Sequence, residues 1–142
     1  MKTNFLKVSI LALVTSLSVS CSSDDSQTFT ETVSQETTQT NTWVKLTAST
    51  AAGVNKQGYI IMMFEEPVTA ANALPPIKKQ VTTDANGLAY FDLNSMVTSS
   101  EEKTYYFEAF TENGSNLVWK SVSHPSFSLK KGTMSTSSII VN

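Results

Sequence analysis

Short stretches in which apolar and polar residues alternate constrain the fold of this 142-residue chain more than any other feature. Val44, Leu46 and Ala48 alternate with polar residues, which places one set of side chains on each face of a strand. Similar runs recur at short intervals and are separated by turn residues such as Asp84-Ala85-Asn86-Gly87. No long stretch has the period of an amphipathic helix. The pattern predicts an all-β fold, an antiparallel β-sandwich of seven to eight strands.

The individual strands are predicted from the runs between turn signals. Residues 59–65 are apolar almost throughout, as in a strand that is covered on both faces. Residues 77–83 are polar and carry lysines, as in an edge strand. The aromatic run 104–111 is the strongest strand, and residues 112–116 turn it into a hairpin. Further strands are predicted at residues 88–93, 117–123, 126–129 and 138–141.

The N-terminus has the composition of an export signal. Lys2 and Lys7 precede an apolar stretch over residues 8–19, which is shorter than the roughly 20 residues that span a bilayer. Leu17-Ser18-Val19-Ser20-Cys21 follows and resembles a bacterial lipobox, with its leucine one place earlier than usual. The resemblance implies that residues 1–20 are removed and that Cys21, the only cysteine, carries lipid in the outer membrane or at the cell surface. A plain secretory signal and an inert buried thiol are the alternatives.

Residues 21–41 are predicted to be a disordered tether between the lipid and a single domain at residues 42–142. The segment consists mainly of Ser, Thr, Gln, Glu and Asp, and such a composition buries too little surface to offset the entropy of ordering. A random coil of this length reaches on the order of 25 Å. Phe29 and Val33 allow a second hypothesis, in which this segment adds as a strand to the sheet of a partner.

Charge and residue types exclude several functions. The net charge is −2 and all cations are lysine, which disfavours nucleic acid as a partner. His124 is the only histidine, and we expect it at the surface without a zinc site. The turn at Asp84 lacks the remaining ligands of a calcium loop, and Glu65-Glu66 and Glu101-Glu102 border loops as solvated carboxylates. We predict no catalytic residue, no metal and no cofactor other than the lipid on Cys21.

One stretch is similar to a known class of sandwich. Residues 81–93 combine a strand, a Thr-Asp-x-x-Gly turn and a small-x-aromatic-x-Leu strand, and the aromatic strand 104–109 follows. Together with residues 127–132 they resemble transthyretin-like domains, the class shared with carboxypeptidase regulatory-like domains. The resemblance implies a mostly non-enzymatic scaffold and assigns no catalytic residue. An immunoglobulin-like or fibronectin-type sandwich has a similar string of strands.

The favoured function follows from the faces that the strands present. If the even-numbered residues 60, 62 and 64 face the core, their odd-numbered neighbours face outward. An outward stripe of aromatic residues and methionine is typical of a partner surface. We expect an accessory or structural lipoprotein that docks on another envelope protein, unless the proline-rich loop after residue 65 covers the stripe. The predicted partner-binding residues are Trp43, Tyr59, Ile61, Met63, Tyr106 and Phe110.

The alternative function is a ligand-binding module at the cell surface, for glycans or similar ligands. It requires a concave site in which aromatic rings lie beside amides or carboxylates. The candidate residues are Trp43, Trp119, Asn113 and Asn116.

Overall fold

The computed structural model describes residues 40–142, which hold the predicted domain. The predicted signal peptide 1–20, the lipidation site Cys21 and all but the last two residues of the predicted tether 21–41 lie outside the described residues.

Eight strands and no helix make up the described part of the chain, which confirms the predicted all-β sandwich. In chain order they are β1 (Trp43–Ser49), β2 (Ile60–Phe64), β3 (Lys79–Thr82), β4 (Leu88–Asp92), β5 (Lys103–Asn113), β6 (Asn116–Trp119), β7 (Ser126–Leu129) and β8 (Met134–Ile140). A three-stranded sheet has the order β4-β1-β8, and a five-stranded sheet has the order β3-β2-β5-β6, with β7 beside the first half of β5.

The two sheets are antiparallel except for one pair of strands. β1 lies parallel to β8, with Trp43 opposite Met134 and Ser49 opposite Ile140. β8 also begins four residues before the predicted strand at 138–141, because its first half is built from serine and threonine, which give no apolar signal. β3 lies at the edge of its sheet, as its lysines predict.

The main core lies between the sheets. Val44, Leu46 and Ala48 of β1 are fully buried, as their alternation predicts. Phe107 of β5 occupies the centre, where its ring meets that of Phe91 edge-on at a centroid distance of 5.2 Å. A third ring packs on Phe107 from β7, since the centroid of Phe127 lies 5.5 Å away. Such edge-to-face pairs stabilise the core beyond the area that they bury.

The prediction that Ile61 and Met63 face outward is wrong. Both side chains are fully buried in the main core, opposite Ala109 and Phe107 of β5. Residues that face each other across an antiparallel pair share a face, and the inward side of β5 therefore fixes that of β2. The sequence of β2 is apolar at all five positions, so alternation gave no signal for its inner face.

The turn at Asp84 connects β3 of the five-stranded sheet to β4 of the three-stranded sheet, and it is bonded to β1, where the N–H of Ala48 donates to the carbonyl oxygen of Gly87 at 2.8 Å. Its carboxylate oxygen Oδ1 accepts hydrogen bonds from the backbone N–H of Asn86 at 2.9 Å and of Leu88 at 2.8 Å. Gly87 has a φ of 74°, and a Cβ there would lie 2.7 Å from the carbonyl oxygen of Ala48. The positive φ and the close approach to Ala48 both require a glycine at this position. The turn therefore accounts for the residues that resemble part of a calcium loop.

Candidate interaction surfaces

The outer side of the three-stranded sheet carries a group of large side chains, of which Tyr90 and Met134 are exposed and Trp43 and Lys45 are half-buried. Trp43 lies opposite Met134 on β8, and Lys45 lies opposite Tyr90 on β4. These four positions alternate with the buried residues of the same strands, so they face away from the core. We call the surface formed by Trp43, Lys45, Tyr90 and Met134 the aromatic face.

Cation–π contacts organise the aromatic face. The rings of Trp43 and Tyr90 have centroids 6.1 Å apart and are tilted by 40°. The Nζ atom of Lys45 lies 4.7 Å from the Trp43 centroid and 5.6 Å from that of Tyr90. Tyr90 is 45% exposed and Met134 is 61% exposed. The face therefore offers apolar and aromatic contact area on a regular sheet, together with one cation.

The outer side of the five-stranded sheet carries a second hydrophobic group, which we call the outer cluster. Met62, Phe64 and Phe110 are buried there, although no second sheet within residues 40–142 covers them. Val68, from the proline-rich loop after β2, packs against them. The proline-rich loop thus covers part of the outer side of this sheet, as expected if the apolar stripe is not a docking surface. Ile60, Tyr106 and Trp119 complete the outer cluster.

A buried carboxylate lies beside the outer cluster. Glu108 is only 3% exposed, and its Oε2 accepts a hydrogen bond from the indole Nε1–H of Trp119 at 2.8 Å. The Nδ1 atom of His124 lies 2.9 Å from Oε1 and 3.0 Å from Oε2. Buried polar groups are costly unless they are hydrogen-bonded, and both oxygens of Glu108 have partners. This arrangement holds the segment after β6 against β5.

The geometry of His124 differs from the plain surface residue that its sequence context predicts. Its side chain is 53% exposed, but Nδ1 is directed at Glu108. The imidazole therefore presents its other nitrogen away from the carboxylate, with the ring 5.5 Å from that of Trp119. The nearby hydroxyls of Ser121 and Ser123 accept hydrogen bonds from the backbone N–H of Ala109 and Ile140. Both hydroxyls thus have a structural role, because they link the segment after β6 to β5 and to β8.

A cleft of about 280 Å³ opens beside the β5–β6 hairpin. Ile60 and Met62 contribute apolar lining, and Ile77 and Leu117 are each 42% exposed. Polar groups come from the side chains of Gln80, Glu112 and Asn116 and from the hairpin turn itself. Its volume is near the lower end of small-molecule sites, which measure roughly 300–1,000 Å³.

The six predicted partner-binding residues fall into four environments. Ile61 and Met63 lie in the main core, where no partner reaches them. Tyr59 packs partly against that core, and its hydroxyl donates to the carbonyl oxygen of Asn142 at 3.0 Å. Tyr106 and Phe110 belong to the outer cluster, and Trp43 belongs to the aromatic face.

The prediction from sequence named only Trp43 of the aromatic face and missed Lys45, Tyr90 and Met134. Tyr90 lies between the buried residues Ala89 and Phe91, so the alternation of β4 contained the signal. Met134 precedes the predicted last strand and had no such signal.

The residues proposed for a ligand site do not form one site. Trp43 and Trp119 lie on the outer sides of different sheets. Asn116 lines the cleft, and Asn113 is its cross-strand partner at the end of the hairpin.

One acid of each predicted pair forms ion pairs at the surface: Glu65 contacts two lysines, and Glu102 lies 2.9 Å from the Nζ atom of Lys130. Glu65 lies 2.8 Å from the Nζ atom of Lys103 and 3.2 Å from that of Lys78. The hydrogen bond from Lys103, and then that from Lys78, lower the pKa of Glu65 below its usual 4.5. The same bond with Glu65 raises the pKa of Lys103. Within residues 40–142, no three His, Cys, Asp or Glu side chains are grouped as metal ligands.

The part of the chain that the structure describes contains no helix with the length and apolar character to cross a membrane. The sequence matches no protein-family model and no curated protein.

Proposed function

We propose that the protein is a non-enzymatic, lipid-anchored protein of the outer membrane or cell surface that docks on another envelope protein through its aromatic face. The lipid on Cys21 holds it at the membrane, the polar segment 21–41 gives reach, and the sandwich presents the docking surface. This proposal keeps the function expected from the sequence and moves the docking surface to the three-stranded sheet.

One observation carries the proposal: Tyr90 and Met134 are exposed on both sides of Trp43. Aromatic residues and methionine are enriched where proteins meet. Their positions on β4, β1 and β8 fix them on neighbouring strands. A rigid surface of this kind loses little freedom on binding.

Pull-down of the tagged protein from membranes in mild detergent tests the proposal. We expect a stoichiometric envelope partner that is retained by the wild type and lost by the double variant Tyr90→Ser, Met134→Ser. Val54→Ser is the matched control, because Val54 is an exposed apolar residue outside the aromatic face. Retention of the partner by the double variant would show that docking does not use this surface.

The anchor is tested separately. Metabolic labelling with a radioactive fatty acid should mark the wild type and leave Cys21→Ser unlabelled. If both chains stay unlabelled while export continues, the N-terminus is a plain secretory signal.

The cleft beside the hairpin supports a second candidate function, the binding of a small surface ligand such as a glycan. Its lining combines apolar groups with Gln80, Glu112 and Asn116, as a polar ligand with one apolar side requires. Calorimetry with soluble surface glycans should give heat with the wild type and less heat with Asn116→Ala. Identical titrations for both chains would remove this candidate.

A further inference from the structure

One edge of the sandwich is left unpaired by the residues that the structure describes. β8 is the last strand of the three-stranded sheet, and its only strand neighbour within residues 40–142 is β1. The N–H of Trp43 donates to the carbonyl oxygen of Thr133 at 3.0 Å, and that of Val141 donates to Ser49 at 2.9 Å. These bonds fix which groups of β8 face β1, because the pattern alternates along a strand. The N–H and C=O groups of Met134, Thr136 and Ser138 therefore point outward.

The open edge has a defined length. At its far end the carbonyl oxygen of Ile140 accepts a bond from the N–H of Val122 at 2.7 Å, and its own N–H donates to the hydroxyl of Ser123. Between Met134 and Ser138 no hydrogen bond to an outward backbone group is formed by any described residue. At about 3.3 Å per residue, this edge is long enough for a short strand.

β8 lacks the devices that discourage pairing at an edge. Its sequence, Met-Ser-Thr-Ser-Ser-Ile-Ile, has no charge and no proline. The edge strand β3 of the other sheet, in contrast, begins with Lys79 and follows Lys78. Natural proteins protect exposed edges with lysine, proline or bulges, so an unprotected edge is suited to accept a strand.

Lysines lie near both ends of β8 and indicate the charge of the partner. Lys131 lies shortly before β8, and the carbonyl oxygen of Lys120 accepts the N–H of Asn142 just beyond β8. Neither lysine side chain has an ion pair with any residue in 40–142. A second copy paired antiparallel at this edge would bring Lys131 of one chain towards Lys120 of the other. The flanking charges thus disfavour self-pairing and favour a strand with acidic ends.

We propose that β8 accepts an extended, acid-flanked strand of a protein partner as a fourth strand of the sheet β4-β1-β8. This inference rests on the proposed docking function and names its mode, in which backbone hydrogen bonds supply affinity and flanking charges supply selectivity. Met134 connects the two features, since its backbone lies on the open edge and its side chain lies on the aromatic face. Side chains on that side of the incoming strand then lie beside Met134.

Hydrogen exchange of single amides measures strand addition directly. The probe is a synthetic peptide of about ten residues that alternates threonine and valine between glutamate ends, and the control peptide has lysine ends. The full-length protein is observed by NMR in mild detergent. The acidic peptide should slow exchange at the outward amides of Met134, Thr136 and Ser138 by about tenfold or more, and less so at high salt. The inward amides of Ser135, Ser137 and Ile139 serve as internal controls for folding.

The variant Thr136→Pro removes the central outward N–H without removing a bond to β1. Proline is tolerated at an edge where its nitrogen faces away from the sheet, so the inward amides should stay protected. We expect the variant to lose the response to the acidic peptide. An unchanged response in Thr136→Pro, or none in the wild type at millimolar peptide, overturns the proposal. Equal slowing by the two peptides contradicts the charge selectivity, and outward amides that are protected without peptide in a dimer identify a second copy instead.

The same variant separates this inference from the proposed function. If Thr136→Pro still retains the envelope partner while Tyr90→Ser, Met134→Ser loses it, docking stands and strand addition is wrong. If the wild type binds no envelope partner but the acidic peptide still protects the edge, the docking function is wrong and the edge remains a peptide site.

Discussion

Replacing Trp119 by phenylalanine tests whether the buried carboxylate of Glu108 depends on its hydrogen bonds. The change keeps an aromatic ring in the outer cluster but removes the indole N–H that donates to Oε2 at 2.8 Å. Glu108 is 3% exposed, so among the described residues His124 alone remains as a donor to it. A hydrogen bond to a charged group contributes about 1.5–3 kcal/mol. Because Trp119 and His124 are partly exposed, water replaces part of the lost bond, and we expect a loss of about 1.5–2 kcal/mol.

Urea unfolding followed by circular dichroism measures this loss as a lower midpoint at an unchanged slope. The melting temperature should fall by roughly 6–16 °C, given the 4–8 °C per kcal/mol of a domain of this size. Trp43→Phe is the matched control, since the indole nitrogen of Trp43 has no hydrogen bond to the described residues. A further cycle with His124→Ala should be non-additive, because both donors serve one carboxylate. Equal losses for Trp119→Phe and Trp43→Phe would refute the reasoning.

Three other perturbations probe the core, a turn and the surface charge. Phe107→Ala should cost about 3–5 kcal/mol in urea unfolding, because the fully buried ring contacts two others, and a loss below 1 kcal/mol would contradict its central place. Gly87→Ala should destabilise more than Gly53→Ala, since both have positive φ but only the first sets a Cβ against backbone; equal melting temperatures would count against this. Lys103 lowers the pKa of Glu65, so this pair's stabilisation is present above the unfolded value of 4.5 and is lost as pH falls through the lower folded value. In Lys103→Met, the free energy of unfolding should decrease less as the pH is lowered through this range. An unchanged decrease would show that the pair contributes nothing.

Strand positions and most faces could be predicted because local pattern determines them. Val44, Leu46 and Ala48 alternate with polar residues, and the same pattern in residues 88–93 places Ala89, Phe91 and Leu93 inside. Turn positions followed from Asp, Asn and Gly for equally local reasons.

The face of β2 could not be predicted, because both of its sides are apolar. One side enters the main core, and the other forms the outer cluster beneath Val68. Only pairing with β5 decides between them, and pairing depends on residues more than 40 positions away. For this reason Ile61 and Met63 were predicted to lie on a partner surface, whereas they lie in the core.

The aromatic face and the Glu108 group depend on long-range contacts in the same way. Met134 joins Trp43 only because β8 pairs with β1 across most of the domain. Glu108 reads as an ordinary polar residue of a strand, and no local pattern indicates that Trp119 and His124 donate to it.

The parallel pairing of β1 with β8 also sets the order of folding events. β1 is the central strand of its sheet, yet one of its two neighbours is the last strand of the domain. During synthesis, β1 can pair with β4 early, but its other edge stays unoccupied until residues 134–140 have emerged. Closing so long a loop is entropically expensive, and topologies rich in such contacts fold slowly. The nascent chain therefore passes through a stage in which nearly the whole domain has been synthesised but its three-stranded sheet still lacks β8.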